Sequence, residues 1–247
     1  MSNARPLILA IDTSTPCSSV ALTRGDVHQG ELVATLSLNS NRTHSRRLLT
    51  GIDWLLSENS IDFADIDGLA VGLGPGSFTG LRIGMATVKG LATAMDKPLL
   101  GVSTLDALAL CCSGEKPVCV LLDARKKEVY RRWYQSDEQG VFRQQGSIKA
   151  LKADELAAEV LEPTLMVGDG LFIYGDFLKE ILGDFVTMAP LPLSYPSAAA
   201  IGFLCCEQLH AGDVMPLDSA VPLYVRASDA ELSLVNKEQQ EQKKNDT

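Results

Sequence analysis

The sequence predicts an α/β protein made of two tandem halves. Each half is ordered strand, strand, strand, helix, strand, helix, strand, helix around a mixed sheet. Three observations carry this reading. An apolar strand ending on a carboxylate occurs twice, as Leu7-Ile8-Leu9-Ala10-Ile11-Asp12 and as Val118-Cys119-Val120-Leu121-Leu122-Asp123. The same succession of elements follows each, which marks a duplicated fold although the residues themselves do not repeat. Finally, three consecutive strands feeding alternating helices and strands give a meander beside a parallel part, with helices on the faces of the sheet.

In the first half, residues 1–113, the strand ending at Asp12 turns through Thr13-Ser14-Thr15-Pro16 into a strand from Ser18 to Thr23. Gly30 to Leu38 supplies a third strand. A helix is predicted from Thr43 to Asn59, because Leu48, Leu49, Ile52, Leu55 and Leu56 recur at helical spacing. Gly68-Leu69-Ala70-Val71 is a buried strand, Ser77 to Met95 a long helix, Pro98 to Ser103 a strand and Thr104 to Cys112 a helix. In the second half, residues 114–212, strands are predicted at 118–123, Glu128–Gln135 and Val141–Ile148, then a helix at Ala153–Leu161. Thr164–Gly168 is a strand, Tyr174–Leu182 a helix, Phe185–Ala189 a strand and Pro196–His210 a long apolar helix that could pack back on the first half. Within 213–236, Pro222 to Arg226 reads as a short strand or edge segment. The polar run 237–247, without aromatics, reads as disordered.

The stretch Gly72-Leu73-Gly74-Pro75-Gly76-Ser77-Phe78-Thr79-Gly80-Leu81-Arg82-Ile83-Gly84 joins a strand to the longest helix. Its glycines allow a sharp turn, and Ser77 can cap the helix through its hydroxyl. A glycine-rich turn at a helix N-terminus suits an anion, since free amides and the helix dipole face it. No lysine follows the glycines, so this is not a P-loop. A dinucleotide loop wants an acidic residue ending the next strand, and 98–103 has none, so no nicotinamide cofactor is expected. An anion loop and a tight turn with close helix packing both remain open.

Composition narrows the function classes. With 22 Lys and Arg against 31 Asp and Glu, the net charge is −9, which opposes independent tight binding to nucleic acid. No apolar run approaches the ~20 residues of a membrane span. The N-terminus lacks a signal-peptide layout, so a cytoplasmic protein is expected. The six cysteines include no Cys-x-x-Cys pair and read as reduced and buried. His28, His44 and His210 have no metal-site spacing, and no metal is expected.

Two such halves form a cleft with Asp12 and Asp123 at corresponding hairpins. This resembles the ribonuclease H-like, actin-like ATPase superfamily of sugar kinases, actin and heat-shock chaperones. In those ATPases glycines beside each aspartate let amides wrap the phosphates. Here Asp12-Thr13-Ser14-Thr15 keeps hydroxyls, and Asp123-Ala124-Arg125-Lys126-Lys127-Glu128 has no glycine. The resemblance thus implies at most a degenerate nucleotide or anion loop of Asp12, Thr13, Ser14, Gly74, Gly76, Ser77 and Asp123, with no cofactor.

Several motifs together make a closer match. These are Leu9-Ala10-Ile11-Asp12-Thr13-Ser14-Thr15, Ser19-Val20-Ala21-Leu22, the segment Gly74 to Gly84, Gly101-Val102-Ser103-Thr104-Leu105, Asp123-Ala124-Arg125, Glu128-Val129-Tyr130 and Pro222-x-Tyr224-x-Arg226. They resemble the TsaB (YeaZ) family over residues 7 to about 231. The resemblance implies a role in making threonylcarbamoyladenosine beside the tRNA anticodon. It implies a non-catalytic scaffold that partners the catalytic subunit TsaD, a paralogue of the same fold, and the ATPase TsaE, and that meets tRNA only through the complex. TsaD-type proteins carry a His-x-x-x-His metal pair where this chain has Thr104 and Leu108, and neither makes a good ligand set. His44 resembles a histidine both paralogues place at a helix start. The competing readings are an actin-like nucleotide-binding enzyme and a glycoprotease-type peptidase. The latter lacks His-Glu-x-x-His, Gly-x-Ser-x-Gly and paired metal histidines.

The partner surface is expected on the helices 43–59 and 77–95, meeting the same helices of TsaD, or a second copy when alone. Trp54 lies about 100° or more off the Leu48–Ile52–Leu55 stripe. It suits an aromatic anchor, although packing within the chain is the open alternative. Ile83, Ala86 and Ala94 lie away from the stripe of Leu81, Met85, Val88, Leu91, Ala92 and Met95. Gly80, Gly84 and Gly90 leave room for another backbone. With Arg47, Gly51 and Thr87 these complete the expected interface.

Overall fold

All six residues of the first strand, β1 (Leu7–Asp12), are buried, as a strand covered on both sheet faces must be. It is the centre of a five-stranded sheet. The computed structural model describes residues 5–39 and 44–226. In the first half β1 is followed by β2 (Cys17–Arg24), β3 (Glu31–Asn39), α1 (His44–Glu58), β4 (Gly68–Gly72), α2 (Phe78–Met95), β5 (Leu99–Val102) and α3 (Thr104–Leu110). The second half holds β6 (Val118–Arg125), β7 (Glu128–Ser136), β8 (Phe142–Lys152), α4 (Ala153–Glu159), β9 (Thr164–Val167), α5 (Leu171–Leu182), β10 (Val186–Met188) and α6 (Ala198–Ala211).

The sheet orders are β3-β2-β1-β4-β5 and, read the same way, β8-β7-β6-β9-β10. In each, the first strand runs antiparallel to the second and parallel to the fourth. This is the tandem ribonuclease H-like, actin-like arrangement that the sequence predicts.

Four apolar layers hold it together. On one face of the first sheet, Leu48, Ile52 and Leu55 of α1 and Met85, Val88 and Ala92 of α2 pack on Leu7, Leu9, Ile11 and Val71. On the other face Ile8, Ala10, Ala70 and Leu100 meet Ala198, Ile201, Cys205 and Cys206 of α6. The last helix of the second half therefore covers the sheet of the first. Helix α3 is buried on two sides: Ala107 joins that layer, while Leu105, Leu108 and Ala109 pack on Val118, Val120 and Leu122 of β6. On the far face of the second sheet lie Leu156 of α4 and Leu171 and Leu178 of α5.

Several boundaries differ from the sequence pattern. Helix α5 starts at Leu171 rather than Tyr174, and 183–185 close into a 3₁₀ turn that shortens the following strand to Val186–Met188. Strand β8 runs on to Lys152. Helix α3 ends at Leu110 instead of Cys112, and α4 at Glu159 instead of Leu161. Pro222–Arg226 forms no strand: the Leu223 amide donates to the Leu73 carbonyl at 2.8 Å without a ladder. Thr43, the His44 side chain, 227–236 and the run 237–247 lie outside the described residues.

Candidate functional site

The end of β1 is closed by the chain itself. Asp12 is fully buried; its Oδ1 accepts from the Ser14 amide at 2.8 Å and the Ser14 hydroxyl at 2.6 Å, and its Oδ2 from the Thr104 hydroxyl at 2.7 Å. Burial pushes this carboxyl above its ordinary 3.8, and those bonds pull the other way. The glycine-rich segment is shaped around the same turn. A Cβ at Gly72 would come within 2.0 Å of Asp12 Oδ2, at Gly76 within 2.2 Å of the Ser14 carbonyl, and at Gly80 within 2.0 Å of the Thr13 carbonyl. The Ser77 amide donates to Ser14 O at 2.6 Å, and the Thr13 hydroxyl to Gly80 O at 2.7 Å. Ser77 also caps α2 by accepting from the Gly80 amide at 3.3 Å. Close packing between the first hairpin turn and α2 therefore accounts for these glycines.

Between the halves lies a cavity of about 340 Å³. Ser14, Gly76 and Ser77 line it from the first half, and Asp123, Arg125, Lys126 and Asp169 from the second, whereas the buried Asp12, Thr13 and Gly74 do not line it. The second-half turn is strained and exposed. Arg125, Lys126 and Lys127 all hold left-handed backbone, at φ 62°, 51° and 65°, which costs non-glycine residues of order 1–3 kcal/mol each. Asp123 accepts from the Arg125 amide at 2.9 Å and pairs with its guanidinium at 3.2 Å. The Asp123 amide in turn donates to Asp169 Oδ1 at 3.0 Å. Burial pushes Asp169 up to about 6, with the neighbouring Asp123 carboxylate adding to the rise and that amide bond opposing it.

The 222–226 segment forms a third wall that the sequence pattern did not assign. Tyr224 stacks at 5.1 Å between centroids on Phe78, and the Arg82 guanidinium lies 3.9 Å over the Phe78 ring. Arg226 pairs with Glu128 and donates to the Ala124 carbonyl at 3.1 Å. The segment thus ties α2 to the β6–β7 turn. Its alternation of Tyr224 and Arg226 was visible in the sequence, but their partners are 98 or more residues away.

The expected partner face divides into two sets. Trp54 is 52% exposed and Leu49 55%, and Ala86, Gly90 and Ala94 are exposed, with Thr87 half-buried. Gly90 has open space around it. The others are turned inward. Arg47, 9% exposed, donates to the Ser18 hydroxyl at 3.2 Å and the Pro16 carbonyl at 2.9 Å. Gly51 is buried against Leu36. Ile83 packs on the first core rather than away from it. The room expected at Gly80 and Gly84 for a partner backbone is filled by Thr13, whose Oγ1 would lie 2.4 Å from a Cβ at Gly84.

Thr104 and Leu108 are both fully buried, the first on Asp12 and the second in the apolar layer against β6. Among the described residues, no group of three or more His, Cys, Asp or Glu side chains is placed to hold a metal ion. Nor is any helix among them long and apolar enough to cross a membrane.

Comparison with known proteins gives a consistent picture. Residues 36–233 match the family model described as TsaD: tRNA N6-adenosine threonylcarbamoyltransferase. The chain is 33% identical over 237 residues to the tRNA threonylcarbamoyladenosine biosynthesis protein TsaB of Escherichia coli, covering 94% of this chain and 99% of that protein. It is 31% identical to the TsaB of Bacillus subtilis, covering 91% and 96%. Among solved structures, YeaZ from Pseudomonas aeruginosa superposes with a TM-score of 0.68 at 30% identity, covering 89% of this chain and 99% of that one.

Proposed function

We propose, since this chain belongs to the TsaB (YeaZ) family, that it is the non-catalytic scaffold subunit of a cytoplasmic complex making threonylcarbamoyladenosine on tRNA. In this reading it binds the catalytic subunit TsaD, works with the ATPase TsaE, and meets tRNA through the complex. The observation that carries it is the state of Thr104 and Leu108, the positions that resemble the metal histidines of TsaD. One donates a buried hydrogen bond to Asp12 and the other packs in the core, which supports a structural role for both positions. The sealed Asp12 and the glycine-free, left-handed turn 125–127 likewise count against a nucleotide-binding enzyme.

The exposed part of α1 and α2, around Trp54, Ala86, Gly90 and Ala94, is the surface assigned to TsaD, and to a second copy when TsaD is absent. Reconstitution tests the reading. The purified chain with tRNA, ATP and an activated threonylcarbamoyl donor yields no modified tRNA until TsaD and TsaE are added; modification by the chain alone overturns it. Trp54→Glu weakens TsaD binding about tenfold or more in a titration while melting as the wild type does. Unchanged affinity would place the interface elsewhere.

A further inference from the structure

On the second half, α5 turns Leu171, Gly175 and Leu178 toward the sheet. Off that buried side, Ile173, Phe177 and Ile181 recur every fourth residue and are all exposed. Residues four apart stack along one helix side, so they form a continuous apolar row about 12 Å long. Directly beside it runs a second exposed row, Asp176 and Glu180, which Asp184 prolongs beyond the helix end. Exposed Phe172 stands at the head of the acidic row, and its ring lies 5.2 Å from that of Tyr195. The one lysine of α5, Lys179, directs its ammonium to the Gly183 and Val186 carbonyls at the helix end, leaving the two rows without a basic residue of the helix between them.

We propose that this face of α5 is a docking surface for a basic amphipathic helix of a partner protein, one with an apolar row flanked by lysine or arginine. Contiguous exposed apolar surface of this kind on a soluble chain marks an interaction site. The helix-on-helix mode reads the apolar row as anchors at four-residue spacing. The acidic row supplies the register and the sign of the partner's charge. A second copy of this chain is disfavoured by the same charges. A two-fold axis that pairs two copies of the helix antiparallel would lay each acidic row against its own copy. The face belongs to the second half and is separate from the α1 and α2 surface assigned to TsaD, so the two readings stand or fall apart.

The probe is a labelled helical peptide of about 18 residues, with leucine along one face and lysine beside it, titrated into the full-length protein by fluorescence anisotropy. Saturable binding is expected. It weakens about tenfold or more in Phe177→Ser and in the pair Asp176→Lys with Glu180→Lys, and about as much when the peptide's lysines become glutamates. Both variants keep the wild-type circular dichroism, with a somewhat lower melting temperature for Phe177→Ser, whose side chain is 40% exposed. Ile173→Ser serves as a second apolar variant. If the variants bind the peptide as the wild type does, the net charge of the chain holds it elsewhere and the proposal falls. It falls equally if Phe177→Ser turns a wild-type dimer into a monomer, since a second copy then occupies the face. Zero-length cross-links within one chain from Lys237, Lys243 or Lys244 to Asp176 or Glu180 would assign the face to the chain's own C-terminal segment and overturn it too.

Discussion

At the scale of single residues, two features have opposite signs for stability. Asp169 is held up near 6 in the folded protein against an ordinary 3.8, so folding favours its protonated form. The stability that goes with that proton is full below 3.8, drains away as the pH rises to about 6, and is absent at neutral pH. Asp169→Asn keeps an acceptor for the Asp123 amide and removes the charge. It is therefore expected to stabilise the protein by about 1–3 kcal/mol at pH 7.5 and by nearly nothing below pH ~4, as read by denaturant unfolding at the two pH values. A variant that gains equally at both would show the effect is not one of charge. The glycines of α2 give a second contrast. Gly80→Ala drives a methyl to within 2.0 Å of the Thr13 backbone and should cost about 2–4 kcal/mol, because backbone there has no rotamer with which to yield. Gly90→Ala meets nothing and should gain about 0.5–1 kcal/mol from helix propensity. Melting temperatures of the two variants moving in the same direction would contradict this packing.

At the scale of elements, the 222–226 segment behaves as a tie across the cleft. It has no strand ladder, so its order rests on the Phe78–Tyr224 stack, the Leu223 amide bond and the Arg226–Glu128 pair. Tyr224→Ala is expected to cost about 1–2 kcal/mol and to speed hydrogen exchange at the Leu223 amide more than at the amides of β6. Equal protection in variant and wild type would mean that the stack does not hold the segment. The same element shows where reading the sequence stops. The strands β1, β4 and β6 were legible because burial on both sheet faces forces an unbroken apolar run. Helix α1 was legible because one face only is buried. For 222–226 neither period applies, since its contacts are single side chains reaching distant partners. The glycine-rich segment is an intermediate case. Its turn and the Ser77 cap follow from local chemistry, but the reason for Gly80 is Thr13, 67 residues away. Spacing alone could not tell a partner's backbone from the chain's own, and so could not show that Gly80 and Gly84 face Thr13, that Arg47 reaches Ser18 and Pro16, or that half-buried Ile83 packs on the first core.

At the scale of the whole molecule, the two halves are not separable bodies. Helix α6 closes the sheet of the first half, and α3 lies between both sheets with apolar residues on each side. Unfolding should therefore be one cooperative transition, with calorimetric and van't Hoff enthalpies in agreement and far-ultraviolet and near-ultraviolet signals coincident. Two resolved heat-capacity peaks would show that the layers between the sheets do not couple them. The crossing of α6 also sets an order in time. The face formed by Ile8, Ala10, Ala70 and Leu100 is complete in the emerging chain once Leu100 has been made, yet its cover ends at Ala211. At the usual pace of synthesis, roughly 6–22 s separate the two. For that interval an oily sheet face has no lid of its own, and a ribosome stalled anywhere in between releases a fragment that can only stick to something else.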